Sequence, residues 1–132
     1  MKAIYIITIV LTGLFVGACK KDKKNKSGAQ SVSIVFTEPS LGDSVPSWNQ
    51  VHMEGTITGD GEMKGYTVSA RNTSTNAVLF SATYDVKASA YNFHEHWINN
   101  LYDTTNVTVR VEVIKDGLGN LETKEMNVVC LP

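Results

Sequence analysis

Phe93-His94-Glu95-His96-Trp97 is the stretch of this 132-residue chain whose residue types and spacing could do chemistry. On an extended strand successive side chains point to opposite faces, so His94 and His96 share one face while Phe93 and Trp97 share the other. Two imidazoles placed two residues apart can chelate one transition-metal ion, and nitrogen donors of this kind suit copper or zinc first. Two ligands make a weak site. A third has to come from His52, Glu54, Cys130 or an acid on a neighbouring strand. The same spacing arises when two polar residues face water from a strand whose other side fills a core.

Other chemistry has thinner support. Glu54, Glu62, Asp85 and Asp103 are acids that loops could turn towards calcium, but no D-x-D-x-D-G run accompanies them and a solvated acidic surface accounts for them as well. No G-x-S-x-G elbow, Gly-rich phosphate loop or H-E-x-x-H pair occurs. The expectation is therefore a protein that is not an enzyme and holds no cofactor beyond a candidate copper or zinc ion. Among the aromatic residues, Tyr66, Tyr91 and Trp97 fall on inferred inward faces. Trp48, Tyr84 and Tyr102 are left as loop or strand-end candidates for stacking on a carbohydrate, with packing as the competing use.

Charge divides the chain unevenly. From Cys19 to Ala29 five lysines face one acid, Asp22, a formal +4; from Gln30 to Pro132 six basic residues face twelve acidic ones, a formal −6. A domain of that sign repels phosphate, which argues against nucleic acid as a partner.

The elements that must position the histidines follow from alternation. Val32, Ile34 and Phe36 alternate with polar residues, and Pro39-Ser40-Leu41-Gly42-Asp43 breaks the run. Val51, Met53, Gly55 and Ile57 oppose His52, Glu54, Thr56 and Thr58, and Gly59-Asp60-Gly61 is expected to close that strand. Tyr66, Val68 and Ala70 mark a third strand, which Asn72 to Asn76 turns into a fourth from Ala77 to about Tyr84. Tyr91 to Ile98 is the fifth. Val107, Val109, Val111 and Val113 form the clearest of all, and Asp116-Gly117-Leu118-Gly119-Asn120 returns it as a hairpin through Leu121 to Cys130. Seven short strands with a turn signal every ten or so residues predict two packed antiparallel sheets.

The N-terminus has a different character. Met1-Lys2 is a short positive end, Ile4 to Val16 is an apolar run too short to span a bilayer as a helix, and Val16-Gly17-Ala18-Cys19 follows. Those four residues resemble the lipobox of bacterial lipoproteins, with Val16 where Leu is commoner. The resemblance implies that residues 1–18 are a signal peptide, that a diacylglyceryl group is attached to the Cys19 sulfur, and that signal peptidase II cuts before it. The two or three acyl chains, palmitate among them, of a mature lipoprotein give an anchor that one chain does not. Residues 19–30 then form a Lys-rich tether without apolar periodicity, reaching about 18 Å as a flexible coil. Lys20 after Cys19 lacks the Asp that retains some lipoproteins at the inner membrane. The expected location is thus the outer membrane, on its periplasmic face or at the cell surface. With Cys19 given to lipid, Cys130 has no partner within the chain, and burial is the preferred reading of its strand-end setting.

Residues 31–132 resemble an immunoglobulin-like or fibronectin-III-like domain of bacterial cell-surface lipoproteins. The residues that carry this are "FTEPSLGDSV", "GYTVSARNTSTNAVLF" and "VTVRVEVIKDGLGNLETKEMNVV". It implies an all-β, seven-stranded antiparallel sandwich acting as a non-catalytic binding or structural module towards an envelope protein or glycan. The alternative is a copper- or zinc-binding envelope protein built on His94 and His96. Locally that pair is similar to the copper-binding strand of Cu,Zn superoxide dismutases, but the match covers five residues, and three histidines in the chain are too few for that enzyme's metal set.

Overall fold

The valines of Val107 to Val113 do what their spacing predicts: all four are fully buried, while Thr108, Arg110 and Glu112 between them reach the surface. The same alternation builds the rest of the computed structural model, which describes residues 30–132. The leader, the lipobox with Cys19 and the tether as far as residue 29 lie outside the described residues. Among these every regular element is a strand: β1 (Val32–Glu38), β2 (Ser44–Val45), β3 (Gln50–Met63), β4 (Gly65–Asn72), β5 (Val78–Tyr84), β6 (Ala88–Ile98), β7 (Thr105–Ile114) and β8 (Leu121–Cys130).

The strands form two sheets, one of order β1-β3-β6 and one of order β2-β8-β7-β4-β5. All pairings are antiparallel except that of β2, which runs parallel to the end of β8. The result is an immunoglobulin-like β-sandwich. Its core is filled from one side by Ile34, Val51, Met53, Ile57 and Phe93, and from the other by Val68, Ala70, the β7 valines, Val128 and Cys130. One close approach requires glycine: a Cβ on Gly55 would lie 2.1 Å from the Val35 carbonyl oxygen and 2.5 Å from Phe93 Cζ. The Phe93 ring lies over that gap and meets Phe36 edge-on, with centroids 5.6 Å apart.

Two expectations change. The strand count is eight, because Ser44 and Val45 pair with Val129 and Cys130; two residues are too few to show a period in sequence. Gly59-Asp60-Gly61 does not end its strand. The backbone N–H of Asp60 donates to the Ser31 carbonyl and the Gln30 amide donates to the Gly61 carbonyl, so these residues form an irregular edge beside β1 and β3 continues to Met63. The chain changes sheets two residues later. There Gly65, at φ 149°, turns it into β4, and a Cβ would meet the Tyr84 carbonyl oxygen at 2.4 Å.

The two ends of the sandwich differ. Val32 at the start of β1 pairs with Gly59, whereas Gln50 at the start of β3 pairs with Ile98. Those levels are nine residues apart on β3, or about 30 Å at the rise of a strand. The N-terminal entry therefore sits at one end and the loops before β3 and after β6 at the other.

Candidate metal centre

β3 is the middle strand of its sheet, and its outward residues are set by the inward run Val51, Met53, Gly55, Ile57. His52 and Glu54 therefore face solvent. β6 lies beside it in antiparallel register, placing His96 opposite His52 and His94 opposite Glu54. Four side chains with metal-binding chemistry thus occupy adjoining positions on two neighbouring strands.

Within that group three converge. Glu54 Oε1 lies 3.5 Å from His52 Nδ1 and 3.3 Å from His94 Nδ1. One ligand atom from each of His52, Glu54 and His94 falls within 4.8 Å of the other two. His52 Nδ1 is buried and has no hydrogen-bond partner; its contact with Glu54 is not aligned as a hydrogen bond. The side chains of His52, Glu54 and His94 are 41%, 29% and 66% exposed, so the site is a shallow surface one with room for solvent on its open side.

The structure sorts the residues singled out in sequence. His52 and His94 belong to the converging group. His96 shares their face, its ring 6.5 Å from that of His52, but stands outside the three-residue cluster. Cys130 is excluded as a ligand here: it is fully buried on β8, between the sheets, whereas the cluster lies on the outer side of the opposite sheet. Burial also pushes its thiol pKa up. Glu54, which the sequence offers as one of several third ligands and as one of four acids for calcium, is the hub. Cys19 lies outside the described residues.

The aromatic candidates also separate. Tyr84 is not a free stacking surface: its ring stacks on Tyr66, centroids 5.0 Å apart, and its hydroxyl donates to Glu95 Oε1. Trp48 and Tyr102 are 71% and 87% exposed. Both belong to the loops at the end away from Ser31, and fully buried Asn99 organises that end. Its Nδ2 donates to the carbonyls of Val45 and Leu131, its Oδ1 accepts from the Leu101 N–H, and its own carbonyl accepts from the Trp48 N–H at 2.7 Å. Trp48 itself is held at φ 65°, a conformation costly for a bulky side chain.

No protein-family model and no curated protein sequence matches the chain. Among solved structures it is similar to Spo0M, a sporulation control protein from Bacillus subtilis, with a TM-score of 0.52 at 11% identity over 80% of this chain. The chain spans half the length of that protein. A fibronectin(III)-like module of CbhA from Clostridium thermocellum aligns at a TM-score of 0.46 and 12% identity, over 75% of this chain and 96% of the module. At such identities the first likeness speaks to the β-sandwich fold alone.

Proposed function

We propose that this chain is a lipid-anchored cell-envelope lipoprotein whose sandwich is a non-catalytic binding or structural module for an envelope protein or glycan. The observation that carries the reading is the opposition of the two ends. The strand that follows the tether enters beside Gly59, and exposed Trp48 and Tyr102 stand on loops about 30 Å away, at the other end of β3. A lipid on Cys19 would hold the first end near the membrane and leave the second facing outward. Exposed aromatic side chains on loops braced by a buried asparagine suit contact with a protein or a sugar ring. The lipobox resemblance supports the anchor, the outer membrane being its preferred site. The acidic domain disfavours nucleic acid.

The test is made in a bacterial host that processes lipoproteins. Full-length protein should incorporate an alkyne-labelled palmitate and fractionate with membranes, and Cys19→Ser should lose the label. A photocrosslinking residue at position 102 should capture a partner in the envelope, whereas the same residue at position 62, at the tether end, should not. A wild-type chain that never takes up label, or equal capture from both positions, overturns the reading.

A further inference from the structure

We propose that His52, Glu54 and His94 together bind one divalent transition-metal ion of the zinc class on the outer face of the three-stranded sheet. The site goes beyond the envelope-module reading and does not depend on where the protein is anchored.

The distances carry the argument. A tetrahedral ion holds imidazole nitrogen and carboxylate oxygen about 2.0–2.2 Å away, which sets neighbouring ligand atoms about 3.3–3.6 Å apart. The two edges that meet at Glu54 Oε1 measure 3.5 Å to His52 and 3.3 Å to His94. One nitrogen of each imidazole also lies within 4.8 Å of the other's, and rotation of exposed His94 can shorten that separation.

A plain ion-pair cluster explains less. It would need both imidazoles to donate from Nδ1 to one carboxylate oxygen, yet His52 Nδ1 is buried and not aligned to donate. A lone pair on that nitrogen, directed at a cation, removes the orphan. Two nitrogens and one oxygen also select against calcium and magnesium, which want oxygen alone. The scaffold is a paired ladder, with Glu54 opposite His94 and His52 two residues along the same strand, so strand register brings the three together before any ion arrives. Three protein ligands leave a fourth position for water or a partner's side chain.

The test uses the full-length protein in detergent, without a histidine tag, titrated with Zn²⁺ against a chromophoric chelator. One ion per chain is expected. Glu54→Gln, which keeps the side chain's size, and His94→Ala should each weaken binding at least about tenfold. His96→Ala should change it by less than about threefold. X-ray absorption of the zinc-loaded protein should show a nitrogen and oxygen shell with imidazole scattering. Cu²⁺ should displace Zn²⁺ from the same residues, and Ca²⁺ should not. Absence of stoichiometric binding, or affinity unchanged in both Glu54→Gln and His94→Ala, overturns the proposal. So does a loss in His96→Ala as large as that in His94→Ala, which would make the ligands the two histidines of β6.

Discussion

The Tyr84 hydroxyl donates a hydrogen bond to Glu95 Oε1 and so ties β5, an edge strand of one sheet, to β6, an edge strand of the other. Glu95 is the acid between the two histidines, on the opposite face from them. An inward-facing charge beside an edge strand discourages pairing with a second chain, and Tyr84 gives that charge a partner. Tyr84→Phe should cost about 1 kcal/mol at neutral pH, less than is usual for a bond to a charged acceptor because both groups are partly solvated. Denaturant midpoints read the difference.

Alkaline pH should weaken the same corner. The hydrogen bond to Glu95, then burial, raises the Tyr84 pKa; burial first and then the Glu95 charge raise that of Tyr66. A phenol whose folded pKa exceeds its unfolded one stabilises the fold below the unfolded value, about 10, and that contribution disappears as pH climbs through the folded value. Stability should therefore fall above about pH 10, and Tyr84→Phe should make the fall shallower. Denaturant melts across that range, with phenolate absorbance recorded in parallel, would show it; a profile identical in the variant would refute the assignment.

Gly55→Ala should be among the most damaging single substitutions in the domain. Its methyl group would enter space held by the Val35 carbonyl and the Phe93 ring, a cost of about 3 kcal/mol or more. Gly117→Ala, with nothing near its Cβ, should stay within about 0.5 kcal/mol of wild type. Because Gly55 adjoins Glu54 and pairs with Phe93, the first variant should also disturb zinc binding where the second does not.

Asn99→Ala should loosen the end that carries Trp48 and Tyr102. It removes the Nδ2 donor from both carbonyls, so that of Leu131 loses its donor inside the fold while that of Val45 keeps the Leu131 N–H, and it opens a small void, a loss of about 2–4 kcal/mol. Amide exchange at Trp48 and Leu101 should accelerate more than in the centre of β7.

Cys130 should resist thiol reagents in the folded protein and react once it is unfolded. Its side chain is fully buried and its pKa is raised, so little thiolate is exposed. Rapid labelling under native conditions would contradict its placement.

How much of this was legible beforehand depends on range. Alternation along a strand is a local property of L-residues. Val51 to Ile57, Tyr66 to Ala70 and Val107 to Val113 therefore declare their inward faces in the sequence, and His52, Glu54, His94 and His96 face outward with them. Where the fold departs from local alternation, the deciding contact is remote. Ser44 and Val45 became a strand through partners at the far end of the chain. Gly59 to Gly61 kept β3 going through bonds to Gln30 and Ser31. Tyr84 ends its strand as expected, but Tyr66 and Glu95 close around it and take it from the candidates for stacking on a carbohydrate.

The amino-acid order by itself determined the class of fold, the face of each main strand and the presence of imidazoles two residues apart. Tertiary structure alone decided that one of them, His94, converges with Glu54 and His52 while His96 stands apart. Glu54 and His94 are forty residues apart in sequence, and only the register of β3 against β6 makes them neighbours, while the packing that buries Cys130 between the sheets removes it from contention. No turn joins β3 to β6, since β4 and β5 lie between them in the chain, so their register is set by packing of the shared core and not by a local signal.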